Sequence, residues 1–423
     1  MLRELQVPLF DLVMCLSNAV DLVSPAVVNH HKRVAYIASS IGEELGLPAG
    51  EKNDLLLAGM LHDIGALSLR ERIETLQFEV EDPHKHAELG FLLLKMFKPF
   101  SAGVATLVRF HHVPWEKGEG SEFQGKQVPL GSHILHLADR VAVLVNNQQE
   151  ILGQVKEICE VIEGRSGKMF VPELVNAFRS LATREYFWLD IVSQSVDLIL
   201  YQGARLTTVK LDLESLLSLA KLFAQVIDFR SPFTATHSSG VATSAESLAE
   251  FLDFSERECR MMRIAGYLHD LGKLAVPPEI LEKPAKLTPE EFNVIRSHTF
   301  YTCRTLERID GLELVNAWAA FHHERLDGTG YPFHLKGEDL SLGSRIMAVA
   351  DVFTAVTEDR PYRKGMTADR TLRILQGMAE DGALDPHVVS VLCEQFEEVN
   401  SARIAAQEAA SASYLELRGD EGR

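Results

Sequence analysis

The segment LHDLGKL, Leu268–Leu274, has an earlier counterpart in LHDIGAL, Leu61–Leu67. Around both segments the same landmarks follow in one order: an upstream histidine, a downstream histidine, an FHH triplet and an Ala-Asp pair. Matching positions differ by 206, 207, 212, 211 and 212 residues, from 237−31, 269−62, 298−86, 322−111 and 351−139. A constant order with so little drift indicates an internal repeat. The sequence therefore predicts two copies of one domain.

Helical spacing dominates both copies. The stretch SLLSLAKLFAQVI, Ser215–Ile227, places its apolar residues on one helical face, namely Leu216, Leu219, Ala220, Phe223 and Ile227. Ser255 with Glu258, and Thr288 with Glu291 behind Pro289, are typical capping boxes at helix starts. The best strand candidate, LTTVKLDL at Leu206–Leu213, is equally consistent with a linker. We predict an all-α fold.

The repeat sets the predicted domain bounds. The first helical domain is expected at 1–204, the second at 205–400, and a tail at 401–423. The tail is rich in Ala, Ser and charged residues. Both a frayed helix and a partner-binding helix fit this composition.

Charge and cysteine content limit the function classes. A net charge of −18 over 423 residues argues against binding of nucleic acid polymers, which depends on clustered Lys and Arg. A small anionic substrate is still compatible, because bound cations dominate their local field. The cysteines are scattered and predict free thiols: Cys15, Cys159, Cys259, Cys303 and Cys393. Since neither a membrane-length apolar run nor a signal peptide is evident, we expect a cytoplasmic protein that does not bind membranes.

The second copy carries a set of histidines and aspartates suited to transition metals. Its members are His237, His269, Asp270, His298, His322, His323 and Asp351. Any one of them alone is weak evidence for metal. Apolar residues flank them, and an ionisable group in such a setting is costly unless it is paired or metal-bound. Seven groups exceed the needs of one ion and suit two ions, with the Asp270 carboxylate between them.

The segment FHHERLDGTGYP, Phe321–Pro332, resembles the signature of the HD-GYP family, the HD-domain phosphohydrolases that hydrolyse cyclic di-GMP. HDLGK at His269–Lys273 and the run LKGEDLSLGSRIMAVADVFTAVTEDRPYR, Leu335–Arg363, are similar to it as well. The similarity covers about the last half of the chain. The first half resembles only the general HD domain.

The resemblance implies roles for particular residues. The seven ligands would hold two divalent ions, Fe or Mn above all, and Asp270 and Lys273 would be catalytic. Substrate contacts would come from Lys273, Gly330, Tyr331, Pro332, Arg345, Arg360 and Arg363. The GYP loop, which contains Gly330, Tyr331 and Pro332, can equally be a structural turn, and any one of these arginines can equally be structural. Family members with a third metal carry a glutamate four residues before the first histidine, where this chain has Phe233, so we favour two metals.

The first copy keeps a matching ligand set and loses other parts. The set comprises His31, His62, Asp63, His86, His111, His112 and Asp139. Ala66 stands in place of Lys273, and VPWEKGEG follows the FHH triplet without a GYP loop. Three interpretations stay open: a metal-loaded regulatory or dimerisation domain, a second hydrolase, and a remnant without metal.

The leading functional hypothesis is hydrolysis of cyclic di-GMP by a metal-bridging hydroxide, giving the linear dinucleotide; a second cut would give GMP. The alternatives are the same reaction on cyclic GMP-AMP, a nucleotide-binding signalling module with little turnover, and a nucleotidase. A nucleotidase leaves the GYP segment unexplained. The sequence leaves a homodimer open.

Overall fold

Helices make up nearly all regular structure in the computed structural model, as the sequence predicts. The structure describes residues 7–21, 29–66, 71, 74–79, 83–97, 100, 102–203, 210–228, 236–281, 283, 285–359 and 364–418. The strands found there are two residues long, at Val7–Pro8, Glu122–Phe123, Lys126–Gln127 and Lys210–Leu211. Across the described ranges, no helix combines the length and the apolar character that crossing a membrane requires.

The chain divides into an N-terminal unit, Pro8–Val209, and a C-terminal unit, Lys210–Arg423 together with Met1–Val7. The helices of the N-terminal unit are α1 Leu9–Asp21, α2 His30–Glu44, α3 Ala49–Leu61, α4 Pro83–Lys95, α5 Ala102–Arg109, α6 Leu130–Leu144, α7 Val155–Glu163, α8 Pro172–Ala182, α9 Glu185–Ile191 and α10 Val196–Gly203. Short 3-10 helices lie at Glu116–Ser121 and Leu152–Gln154.

The C-terminal unit continues the numbering. Its helices are α11 Leu213–Asp228, α12 His237–Phe251, α13 Glu256–Leu268, α14 Pro278–Leu281, α15 Pro289–Leu306, α16 Glu313–Ala320, α17 Leu342–Thr357, α18 Ala368–Glu380, α19 Pro386–Glu394 and α20 Phe396–Arg418. Its 3-10 helices are Leu271–Ala275 and Gly337–Asp339.

The local signals in the sequence act as predicted. Ser255 caps α13 with Glu258, and Thr288 caps α15 with Glu291; both reciprocal capping boxes are formed. The apolar face predicted for Ser215–Ile227 is buried in α11. The two capping boxes fix where α13 and α15 begin. His269 and Asp270 directly follow α13, and His298 lies in α15.

Two glycine contacts recur in both units and shape the site. A Cβ on Gly266 would lie 2.4 Å from Ala242 Cα, and one on Gly59 would lie 2.5 Å from Ala35 Cα, so α13 meets α12 and α3 meets α2 backbone to backbone. A Cβ on Gly272 would meet the His298 carbonyl oxygen at 1.9 Å. Only glycine permits such approaches. These close approaches bring the His-Asp turn at the end of α13, and its counterpart at the end of α3, against the helices that carry the other histidines.

Two segments differ in detail from the sequence expectation. Within Leu206–Leu213, the structure has a two-residue strand at Lys210–Leu211 and α11 from Leu213, while 206–209 lie outside the described residues. The stretch after Ser401, expected as a tail, continues α20 as far as Arg418, and α20 packs along α12.

Candidate metal centre

The C-terminal unit brings together all seven predicted ligands, from five places in the chain, and we call them the C-terminal cluster. His237 begins α12, while His269 and Asp270 directly follow α13. His298 lies in α15 and Asp351 in α17. His322 and His323 follow α16. Helix ends thus supply most of the ligands, and two helix interiors supply the others.

Asp270 lies between two groups of ligands. On one side, Oδ2 lies 3.2 Å from His269 Nε2 and 4.0 Å from His237 Nε2. On the other side, Oδ1 lies 3.5 Å from His298 Nε2. Two sets of ligand atoms each lie within 4.8 Å of one another, His237 with His269 and Asp351, and His298 with His322 and His323. A carboxylate between two such groups is the arrangement that a two-metal site needs.

Unsatisfied buried atoms support a fit to cations. His269 Nε2 and Asp270 Oδ1 are buried and make no hydrogen bond to the described residues. A buried polar atom without a partner costs free energy of roughly 1–3 kcal/mol. A cation shared by imidazole nitrogen and carboxylate oxygen removes that cost, and borderline transition metals prefer this mixture of ligands.

Burial and neighbouring charge shift the pKa values of the cluster. Burial lowers the pKa of His298 to about 3, and it also lowers the pKa of His322 and His323. Burial opposes a charge on His237 too, but Glu358 and Asp351 outweigh it and raise the pKa to about 10. Burial would raise the pKa of Asp270, yet His269 and Lys273 hold it well below its usual range. The carboxylates are therefore ionised at neutral pH, as metal ligands must be.

The cluster opens toward solvent on one side. The His323 side chain is 30% exposed and lies with Nδ1 3.8 Å from Asp351 Oδ2. Lys273 is 20% exposed, and its Nζ lies 2.5 Å from Asp270 Oδ2. The Tyr331 ring lies 5.0 Å from the His323 ring, and burial raises the pKa of its hydroxyl. Lys273 and Tyr331, both predicted to meet substrate, thus flank this opening.

Arg296 is a residue at the opening that the sequence reasoning missed. Its guanidinium carbon lies 5.0 Å from the centre of the Tyr331 ring and 5.9 Å from that of Phe292, whose side chain is exposed. Among the described residues its guanidinium contacts these two rings and forms no ion pair. The only sequence signal is its position two residues before His298 in α15.

The GYP loop is built on buried Glu324. Its carboxylate accepts hydrogen bonds from the backbone N–H groups of Phe333, at 2.7 Å, and Leu335, at 3.0 Å. A Cβ on Gly330 would lie 2.5 Å from Glu324 Cα, so glycine is needed for the loop to close over this residue. Tyr331 N–H donates to the His323 carbonyl at 3.2 Å. The loop therefore fixes Tyr331 beside the cluster.

Arg345 differs from its predicted role. Its guanidinium donates to the carbonyl oxygens of Leu340 at 2.9 Å and Gly337 at 2.5 Å, and to Asp385 at 3.0 Å. The side chain is thus occupied in holding the loop before α17 and the start of α19, rather than directed to a phosphate. Arg360, Arg363 and Phe233 lie outside the described residues.

The N-terminal unit assembles a comparable set around Asp63. Oδ2 of Asp63 lies 3.3 Å from His62 Nε2, and Oδ1 lies 3.3 Å from His86 Nε2 and 3.7 Å from His111 Nε2. His112 Nε2 lies 3.1 Å from His86 Nε2. Of the predicted set, His62, Asp63, His86, His111, His112 and Asp139 thus come together.

His31 requires a correction. The nitrogen that faces Asp139 belongs to His30, whose Nε2 lies 3.3 Å from Asp139 Oδ1 and 4.0 Å from Asp63 Oδ2. His237 makes the same two contacts in the C-terminal unit, at 3.3 Å and 4.0 Å. His30 is therefore the counterpart of His237, at a separation of 207 residues, and His31 packs with its ring 5.2 Å from that of His62. The N-terminal cluster is His30, His62, Asp63, His86, His111, His112 and Asp139.

Arg140 and Thr75 close the N-terminal cluster. Arg140 Nη2 lies 2.5 Å from Asp139 Oδ2, and the same side chain donates to the carbonyls of Thr75, Gln77 and Phe78. Thr75 Oγ1 donates to Asp63 Oδ2 at 2.9 Å. Asp139 is only 1% exposed. Among the described residues, the N-terminal cluster thus has no solvent-exposed side comparable with the opening at His323 of the C-terminal cluster.

Known proteins share this architecture. Models of the HD domain match residues 27–144 and 221–388. The 3'3'-cGAMP-specific phosphodiesterase 1 of Vibrio cholerae serotype O1 is 32% identical over 417 residues, which is 95% of both chains. This chain belongs to the HD-GYP family.

Two further HD-GYP comparisons differ in their extent. A crystal structure of a cyclic GMP-AMP-specific phosphodiesterase from Vibrio cholerae superposes with a TM-score of 0.65 and 25% identity, covering 93% of this chain and 98% of the other. A cyclic di-GMP phosphodiesterase of Pseudomonas aeruginosa is 44% identical over 158 residues, which is 37% of each chain. The predicted HD-GYP half and the preceding HD domain are thereby confirmed.

Proposed function

We propose that this chain is a cyclic dinucleotide phosphodiesterase and that the C-terminal cluster is its reaction centre. The observation that carries the proposal is Asp270, whose two oxygens face two separate groups of histidines. Two divalent cations held there by the histidines and Asp270, with Fe or Mn as the candidates, would acidify a water near neutral pH and neutralise charge on a phosphoryl oxygen. Asp270 would be their shared ligand.

Residues at the opening would contact the substrate. The Lys273 ammonium is partly exposed beside Asp270, where it can stabilise negative charge that develops on the phosphoryl oxygens. Tyr331, Arg296 and Phe292 form an aromatic and cationic wall next to His323, in which the Phe292 and Tyr331 rings meet edge to face at 82°. Such a wall suits a purine base and its phosphate, since aromatic faces stack on bases and guanidinium groups pair with phosphates.

We propose 3'3'-cyclic GMP-AMP as the first substrate to test, although the sequence alone favours cyclic di-GMP. The relatives that align over both units are named for cyclic GMP-AMP: phosphodiesterase 1 covers 95% of this chain and phosphodiesterase 3 covers 91%. The cyclic di-GMP relative from Pseudomonas aeruginosa covers 37%. Cyclic di-GMP is the second candidate because its relatives match the half that carries the C-terminal cluster.

The test is hydrolysis by the purified full chain, loaded with Mn²⁺ or Fe²⁺, of both cyclic dinucleotides in separate and mixed reactions. We expect linear dinucleotide to accumulate, with a higher kcat/KM for cyclic GMP-AMP. A higher kcat/KM for cyclic di-GMP would reverse the order of substrates. Tight nucleotide binding with no linear product would contradict the proposed enzyme and favour a nucleotide-binding module.

A further inference from the structure

Three of the five histidines of the C-terminal cluster share one contact that fixes their orientation. Nδ1 of His269, His298 and His322 lies 2.7, 2.6 and 2.6 Å from the carbonyl oxygen three residues earlier. A carbonyl only accepts, so Nδ1 must carry the proton and Nε2 keeps its lone pair. Nε2 is the nitrogen that faces the carboxylates. Such outer contacts orient metal ligands and fix their tautomer.

His237 is held differently. Its Nδ1 lies 3.1 Å from Oε2 of Glu358, a residue 121 positions away that directly follows α17. Glu358 is 5% exposed, and its carboxylate stands on the side of the ring opposite to Asp351 and Asp270. It therefore touches the ligand and not the reaction centre.

Glu358 is in turn bound by α20. Gln407 Nε2 donates to Glu358 Oε2 at 3.3 Å, and Arg403 donates to the Gln407 side-chain oxygen. A Cβ on Gly240 would lie 2.8 Å from Gln407 Nε2, so glycine at this position of α12 leaves room for the amide. A chain of contacts thus runs from Arg403 through Gln407 and Glu358 to His237.

We propose that Glu358 is a positioning residue that holds His237 with Nε2 toward the metal site, and that Gln407 holds Glu358. This inference rests on the proposed function in one respect, namely that the C-terminal cluster binds divalent cations. A carboxylate that accepts from the outer nitrogen fixes the ring and strengthens the inner nitrogen as a donor to the cation. The helix expected as a tail thereby becomes part of the site.

The N-terminal unit offers a natural comparison. Counting back 212 residues, the Asp351–Asp139 separation, Glu358 falls on Asn146. Asn146 Oδ1 accepts from Gln148 N–H at 2.9 Å, a contact within its own loop. The carboxylate support is thus a feature of the C-terminal cluster.

The experiment is a Mn²⁺ titration of chelated full-length chain, followed by the EPR signal of free Mn²⁺, for wild type, Glu358→Gln and Gln407→Ala. We expect Glu358→Gln to weaken Mn²⁺ binding about 10–100-fold, as for other outer-shell residues, and Gln407→Ala to weaken it less. Glu397→Gln, at an exposed glutamate of α20, is the matched control and should bind as wild type does. Each chelated variant should stay folded before urea is added and unfold in one cooperative transition, which separates positioning from general loss of structure.

Unchanged Mn²⁺ affinity in Glu358→Gln would overturn the inference, and so would a wild-type chain that binds no Mn²⁺. A weakened affinity in a variant that is already partly unfolded without urea would also overturn it, since that is a packing defect. The titration contains no substrate. A chain that shows the expected Mn²⁺ losses but hydrolyses no cyclic dinucleotide would therefore refute the proposed function and leave the positioning role supported.

Discussion

The N-terminal and C-terminal clusters place an aspartate between histidines in nearly the same way. One oxygen of Asp63 and of Asp270 lies 3.3 and 3.2 Å from the histidine that directly precedes each aspartate in the chain. The other oxygen of each aspartate faces further histidines. Their surroundings differ. Lys273 and partly exposed His323 border the C-terminal cluster, whereas Ala66 replaces the lysine and Arg140 covers Asp139 in the N-terminal one.

The difference teaches that the ligand set alone does not make a phosphodiesterase. A substrate needs an open side and a cation that faces its phosphate. In the N-terminal cluster, a guanidinium already neutralises the aspartate that would border such an opening. The chemistry assigned to the C-terminal unit thus depends on what surrounds the ligands.

The largest effect is expected at the lysine that distinguishes the two clusters. Lys273→Ala should lower kcat about 10²–10³-fold, because it removes a group that stabilises charge in the transition state. The reciprocal change Ala66→Lys should add no activity in an Asp270→Ala background, since the N-terminal cluster stays covered by Arg140. Linear-dinucleotide formation measures both. A kcat of Lys273→Ala within a few-fold of that of wild type would contradict the proposed difference between the two clusters.

The next effect concerns the residue that closes the N-terminal cluster. Arg140→Ala should cost about 3 kcal/mol in free energy of unfolding, because it removes the guanidinium that neutralises buried Asp139 and leaves it only the weaker contact with His30. Urea unfolding followed by circular dichroism measures this loss. Arg165→Ala, at an exposed pair with Glu79, is the control and should cost less than about 1 kcal/mol. Equal losses in the two variants would show that Arg140 does not neutralise Asp139 as described.

A smaller effect is expected at the wall beside the opening. Arg296→Ala should raise KM about tenfold with little change in kcat, since a guanidinium contact of about 1.4 kcal/mol corresponds to tenfold in affinity. Arg304, on the same helix and paired with Glu307, provides the control, and Arg304→Ala should leave KM unchanged. A drop in kcat at constant KM would place Arg296 in the chemical step instead.

The smallest effect is a pH dependence beside the C-terminal cluster. Burial raises the pKa of Asp228 to about 7, against an opposing hydrogen bond from Ser238. Between the unfolded pKa near 4 and the folded value, the folded chain holds a proton that the unfolded chain has lost, so stability falls as pH rises. In chelated protein, wild type should lose about 1 kcal/mol relative to Asp228→Asn between pH 6 and 7. Parallel pH profiles of the two unfolding free energies would contradict this assignment.

The sequence predicted the parts that local patterns determine. Both capping boxes, the apolar face of α11 and the seven candidate ligands that come together in the C-terminal unit follow from spacing and residue type. It did not distinguish His30 from His31, because neighbouring residues differ by about 100° around a helix and either can face inward. Nor did it find Glu358 or the structural bonds of Arg345, since partners 121 and 40 positions away leave no periodic signal.

The central claim is tested most directly by comparing Asp270→Ala with Asp63→Ala in one hydrolysis assay on cyclic GMP-AMP and cyclic di-GMP. Asp270→Ala should lower activity by more than about 100-fold, beyond the loss typical of an outer-shell residue. Asp63→Ala should keep activity within a few-fold of wild type, because Arg140 and Thr75 already occupy the aspartates of its cluster. Loss of hydrolysis in Asp63→Ala with activity retained in Asp270→Ala would contradict the account.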